Sequence, residues 1–393
     1  MKYTDEEIRE LAIGSVLNAE NEGYNYAIKK YLKHLEDVDF IFVDENNGFD
    51  FVSPATHMFK LEKGQISSVF YSDKLTVQNL DFLNGKKDRI YVNYDIGLDT
   101  QVVSYIERYL SGKLDEVNIP VIMPLRVKRN MASEINIDAY VNENCIINKE
   151  FSSKQLLNIW SFFYFLNTPT MSDTEAKIKA DESTNKIVRF VKHARMANVY
   201  KERYDYTYCT LLKIVLLNFE KKGTKEKLIE LLKFEKEVTC TMDMVAINIA
   251  IAYWEQGTKL RFFGKVQKGR KDILNVLRNM AWDVFHWTQT LLDFKTTTRK
   301  GADINIPLFY SVDMRFLELS KIIKLKAVAI DKRKNITIPH LESNRLREFL
   351  SDDELKEYFG PEALRQRNEK RGYVDTEKIY KELEIELLDK GIF

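Results

Sequence analysis

The sequence predicts an α/β protein with a mainly parallel sheet flanked by helices and a large helical insertion. Three observations lead there. The octapeptide Leu98-Asp99-Thr100-Gln101-Val102-Val103-Ser104-Tyr105 follows the apolar run Arg89-Ile90-Tyr91-Val92 and continues into Ile106 and Leu110. That reads as a strand, an acid at its carboxyl end, and a helix opened by Thr100. Tyr310-Ser311-Val312-Asp313-Met314-Arg315-Phe316-Leu317 repeats the arrangement late in the chain. Between them, Asn136 to Trp254 is mostly helical in pattern. Ligand sites in open α/β sheets form at the carboxyl ends of strands, and the helix N-terminus behind such an acid favours anions.

The elements follow in order. Residues 5–36 read as helix, with Ile8, Leu11, Ala12, Val16 and later Tyr26, Ala27, Tyr31 and Leu32 near helical spacing. Asp39 to Val52 reads as a hairpin around Glu45-Asn46-Asn47-Gly48. Asn84-Gly85-Lys86-Lys87 is a second turn signal before the first strand and helix. Val117 to Val127 is an extended candidate, interrupted by Pro120 and Pro124. Leu156 to Leu166, rich in aromatics from Trp160 to Phe165, reads as core rather than as a base-stacking platform. Leu211 to Leu217 is a buried helix or strand. A long helix is expected over Asp272 to Asp293, a strand over Ile306–Tyr310, a helix over Met314–Ile323 and a last strand over Lys326–Ile330. Past Asp331 the chain is rich in Lys, Arg, Glu and Asp. The expected organisation is an N-terminal helical and hairpin segment (1–87), a domain over 88–330 with its insertion at about 146–265, and a charged helical appendage (331–393).

Composition bounds the function. With 393 residues, 45% hydrophobic and 12% aromatic, the chain can bury a sizeable core. A formal net charge of +1 means that a nucleic-acid partner must be held by a local patch. Cys145, Cys209 and Cys240 show no CxxC spacing, which argues against a disulfide framework or a zinc site, and the five histidines form no HExxH pair. The acidic, polar start is unlike a signal peptide. The most apolar segment, Ile247 to Trp254, is far shorter than the roughly 18–20 residues of a membrane helix. A soluble cytoplasmic protein with no membrane partner is expected.

The chemistry lies in acids at strand and helix ends. Besides Asp99 and Asp313, Asp283 stands inside the apolar stretch Ala281-Trp282-Asp283-Val284-Phe285, where a carboxylate is expensive to bury unless paired or metal-bound. Glu143 follows Ile137-Asp138-Ala139-Tyr140-Val141-Asn142, and Asp243 opens the apolar run Met244 to Trp254. Converging carboxylates can hold divalent ions through oxygen. Two such ions about 4 Å apart suffice to hydrolyse a phosphodiester, so the missing His or Cys nucleophile pattern is no objection.

The Leu98-to-Tyr105 motif, with Asp283 and Ser311-Val312-Asp313 after it, resembles the PIN-domain ribonucleases over roughly residues 88–145 and 270–330. In that family a strand ends in Asp-Thr-Asn, a Glu follows on a helix, a third acid lies on a late helix, and a fourth follows a Thr/Ser-x-Asp pattern. The resemblance makes Asp99, Asp283 and Asp313 the first, third and fourth acids. Glu143, 44 residues after Asp99, is the second, with Asp243 as its rival. It implies a PIN-like core, Mg²⁺ or Mn²⁺ as cofactor and endonucleolytic cleavage with RNA favoured over DNA. Thr100 and Ser311 would support the acids, Ser311 by orienting Asp313 or a ligand water. RNA processing, toxin activity and defence against mobile elements are the implied roles. Gln101 stands where the family has Asn, and 140 residues separate Glu143 from Asp283.

Plainer readings stand beside these. Asp99, Asp313 and Asp243 also suit helix N-caps, Asp283 could pair with Arg278 or Lys271, Glu143 could be a solvated acid, and His286 could be a packing residue. Arg261, Lys265, Lys268, Arg270 and Lys271, interleaved with Phe262 and Phe263, form the best basic stretch for a phosphate backbone. Lys295, Arg299 and Lys300 form a weaker one beyond the other end of the Asp283 helix; Arg126 to Arg129 is a third. The alternative functions are a non-catalytic nucleic-acid-binding protein, and a partner-dependent effector with the tail from Asp331 as docking element; a homo-oligomer is the other partner reading.

Overall fold

A computed structural model describes the chain except residues 1–3, 20–22, 51–60, 62, 87–88, 114–115, 117–118, 128–132, 169, 295–301, 342–344 and 392–393. The helices α1 (Asp5–Leu17) and α2 (Tyr24–Lys30) precede β1 (Val38–Val43), β2 (Phe49–Asp50), β3 (Gln65–Ser68), β4 (Lys74–Gln78) and the short α3 (Leu80–Leu83). Next come β5 (Val92–Leu98), α4 (Thr100–Leu110), α5 (Ile119–Val127), β6 (Ser133–Asn136) and α6 (Asp138–Tyr140), which runs into a π-helical stretch, Val141–Ile147. The insertion is wholly helical: α7 (Ser153–Asn167), α8 (Asp173–Lys192), α9 (Ala194–Asn218), α10 (Thr224–Phe234) and α11 (Met244–Gln256). The chain returns through α12 (Ile273–Leu292), β7 (Ile304–Ser311), α13 (Met314–Ile322), β8 (Leu325–Asp331) and β9 (Ile336–Leu341). It ends in α14 (Leu346–Phe349), α15 (Asp352–Phe359), α16 (Pro361–Arg371) and α17 (Thr376–Asp389).

The protein is α/β, with two sheets rather than one mainly parallel sheet. In the four-stranded sheet, ordered β3-β7-β5-β6, β5 is parallel to both β6 and β7, and β3 is antiparallel at the edge. The five-stranded sheet, β2-β4-β1-β8-β9, is antiparallel throughout. All eight residues of β7 are buried, as expected of a strand covered on both faces. After β5 the chain crosses to β6 on one side, then returns to β7 on the other. The carboxyl ends of β5 and β7 therefore meet at a topological switch point, where such sheets form ligand crevices.

Three local expectations are corrected. Of the hairpin expected over 39–52, residues 51–52 lie outside the described residues, and 39–50 are not a hairpin: the turn forms, with Gly48 N–H on Asp44 O and the Asp44 carboxylate taking the N–H groups of Asn46 and Asn47. Yet β4 lies between the two strands, Leu75 pairing with Val43 on one side and Phe49 on the other. A non-local partner outcompetes the local one. Residues 119–127 are helical, because Pro120 falls in the first turn, where its missing N–H costs nothing, and Val121, Ile122 and Leu125 bury one face. The tail is no appendage. Leu346, Leu350, Tyr358, Leu383 and Leu387 belong to the main core.

Both sheets cross the expected segment limits. Strand β1 pairs with β8, and β3 with β7. A smaller second core joins α1 and α2 to the antiparallel sheet through Ile13, Val16, Ile28, Phe40, Phe42 and Ala329. There Arg9 grips the Asp331 carboxylate at 2.9 and 2.8 Å and donates to the carbonyls of His34 and Glu36. Among the described residues no helix is long and apolar enough to cross a membrane.

Candidate active site

The switch point is lined by acids from four elements. Leu98 pairs with Tyr310 across β5 and β7, which brings Asp99 beside Ser311. Asp99 is the N-cap of α4 and accepts the Gln101 N–H at 3.3 Å. Asp313 is the N-cap of α13 and accepts the Arg315 N–H at 2.8 Å. Capping and clustering are one geometry here, since the sheet sets the two helix starts side by side. The π-helical stretch presents Glu143, and α12 presents Asp283 from its middle.

The acids differ in how they are held. The Ser311 hydroxyl donates to Asp99 Oδ2 and accepts the Asp313 N–H at 3.0 Å. Ser311 thus orients Asp99 through its carboxylate and Asp313 through its backbone N–H. Thr100 Oγ1 donates to Glu143 Oε2 at 2.7 Å, and His286 Nε2 stands 3.2 Å from the same oxygen. Arg315 takes Asp313 in a fork, at 3.2 and 2.7 Å. Asp283 has no hydrogen bond or ion pair among the described residues; Arg278, its candidate partner, binds Glu384 at 2.7 Å instead.

The consequence is electrostatic. Burial lifts the Asp283 carboxyl well above its ordinary range, and the charges of Asp99, Asp313 and Glu143 push it further. Asp99 is also raised: burial outweighs the Ser311 hydroxyl, the His286 charge and the Gln101 N–H, and Glu143 adds to the rise. The four expected acids therefore share one field. Glu143 and Asp313 keep 20% and 21% of their side chains exposed, so solvent reaches the cluster. As placed, no three His, Cys, Asp or Glu side chains among the described residues form a ready metal-holding group.

The rival acid lies elsewhere. Asp243 caps α11 through the Ala246 N–H, and its own N–H binds the fully buried Glu235. It is not among the charges acting on Asp283. Sequence reasoning missed two contributors. His286 was read as a packing residue, and its ring does stack on Trp282 at 5.3 Å, but its nitrogen faces Glu143. Arg315 carried no signal beyond standing two residues after Asp313.

The basic stretch is less apt than it looked. Phe262 and Phe263 are core residues, and Arg270 is paired with Asp272 at 2.7 Å. Arg261, Lys265, Lys268 and Lys271 are exposed in the segment before α12, whose first residue, Ile273, stands about 15 Å along the helix from Asp283 at 1.5 Å per residue. Lys295, Arg299 and Lys300, and the side chains of 126–129, lie outside the described residues. Comparison with protein-family models, curated proteins and solved structures finds no match to this chain.

Proposed function

We propose that the protein is a metal-dependent endonuclease, acting on RNA in preference to DNA, with a PIN-like core around β5, β6 and β7. The observation that carries this reading is Asp283: a carboxylate with no donor among the described residues, raised by burial and by three other acids. An all-oxygen donor set suits Mg²⁺ or Mn²⁺, and Asp99, Glu143, Asp283 and Asp313 would hold it. The order of the acids along the chain and their meeting at a switch point support the same reading.

When bound, such ions lower the pKa of a water and neutralise charge on a phosphodiester. The remaining work falls to the chain. Ser311 fixes the Asp99 carboxylate, while Thr100 and His286 fix one oxygen of Glu143 and leave the other unengaged among the described residues. Arg315 holds the Asp313 carboxylate in a two-point fork at the rim, which fixes that acid.

The test is cleavage of labelled single-stranded RNA and DNA by the full chain in Mn²⁺, Mg²⁺ or EDTA. Divalent-dependent cleavage is expected, with RNA preferred. Asp99→Asn and Asp283→Asn should each lower it by more than about 100-fold, whereas Ser311→Ala, which acts through Asp99, should cost about 10–100-fold. RNA binding without cleavage in any divalent ion, or cleavage that survives both Asn variants, would overturn the proposal.

A further inference from the structure

A cavity of about 600 Å³ lies against α12, walled also by α9, β9, α16 and the 240–245 segment. Its α12 wall is centred on Phe285, Thr288 and Leu292, with Gln289 and Leu291 at its margins. At 3.6 residues per turn the central three fall roughly half a turn around the helix from Asp283. The cavity is therefore separate from the acid cluster, and its volume lies in the range of small-molecule sites, about 300–1,000 Å³.

Its wall combines cations with apolar surface. Arg203, Arg367 and Arg371 line it, against a single acid, Asp243, whose carboxylate is engaged by the Ala246 N–H. Arg203 has no ion pair among the described residues and is exposed. Arg371 is also exposed, and its guanidinium lies 5.5 Å from the centre of the Tyr206 ring. Arg367 is buried and donates to the Tyr358 carbonyl. The Thr288 hydroxyl is buried without a hydrogen-bond partner among the described residues. A helical threonine ordinarily bonds the carbonyl four residues back, as Thr290 does to His286. The cavity thus offers guanidinium forks, an unused hydroxyl and accessible apolar wall from Met244, Leu292 and Leu364. An anion carrying a flat, apolar ring uses all three.

We propose that this cavity binds a nucleotide, with its phosphate taken by Arg203 and Arg371 and its base against Leu292 and Leu364. Arginine's planar fork suits phosphate bidentately. The site stands independently of the reading of the acids.

The experiment is calorimetric titration of the full chain in EDTA, so that no divalent ion carries a nucleotide to the acids. The probes are the four ribonucleoside mono- and triphosphates, adenosine and inorganic phosphate. At least one nucleotide should bind saturably at one per chain with a Kd below about 100 µM; its separate base and phosphate parts should bind more weakly. The variant Arg203→Gln/Arg371→Gln should weaken binding by about tenfold or more and keep its fold, because both side chains are exposed. Thr288→Val, nearly isosteric, should weaken it several-fold and provides a second test. Asp283→Asn should bind as the parent does. Absence of saturable binding by every nucleotide, undiminished binding in both cavity variants, or loss in Asp283→Asn would each overturn the proposal. None of these outcomes reports on RNA cleavage.

Discussion

Asp283 has a raised folded-state pKa, so its native state holds a proton more tightly than the unfolded chain does. Linkage then makes the stability it contributes complete below the unfolded value near 4, and lost as pH rises toward the folded one. Asp283→Asn should therefore melt above the parent at pH 7, by on the order of 1–3 kcal/mol, with the gap closing toward pH 4. Thermal melts across that range check it. Added Mn²⁺ should stabilise the parent and not the variant. Ser311→Ala should cost about 1–3 kcal/mol, since it leaves a buried carboxylate short of a donor. At this scale the sequence is informative where composition is locally improbable. An acid between Trp282 and Val284 in an apolar helix is visible without a structure. His286 and Arg315 are not, because their partners depend on a π-helical stretch and on a rotamer.

At the scale of elements, α1 is tied to β8 by one pair. Burial would lift the Asp331 carboxyl, but the Arg9 hydrogen bonds and the N–H groups of Lys334 and Arg333 hold it below the usual range. A depressed folded pKa contributes stability above the unfolded value, and this is lost as pH falls through the folded one. Arg9→Met should destabilise by about 3–5 kcal/mol, because it strands a buried charge. Arg9→Met/Asp331→Leu should recover most of that loss; denaturant melts of the two variants decide. Strand–acid–helix units were legible because cap, period and burial agree over a few residues. The antiparallel sheet was not: at Gly48 an added Cβ would fall 2.4 Å from Asp44 O, so the turn signal is genuine. Which strand fills the space beside it is set by residues far along the chain.

For the whole molecule, the charged tail illustrates how composition misleads. Helix α17 reads as a solvated appendage, yet Leu387 is fully buried, and Glu384 receives both the Tyr208 hydroxyl and Arg278. Arg278 lies on α12, one and a half turns before Asp283. Truncation after residue 375 should therefore lower the melting temperature of the whole chain and not merely remove a docking element. Circular dichroism melts of the truncated and full chains would show it; an unchanged transition would restore the tail to the status of an appendage.

The pairing of β5 with β7 joins residues 212 positions apart, Asn93 with Asn305 among them. Asp99 has no neighbouring Ser311 until 212 further residues have been made. At about 5–20 residues per second, tens of seconds pass in which the first acid is made and the last is not. Such long-range pairing is also slow to nucleate. The acid cluster therefore assembles only after both strands, and everything between them, have been made.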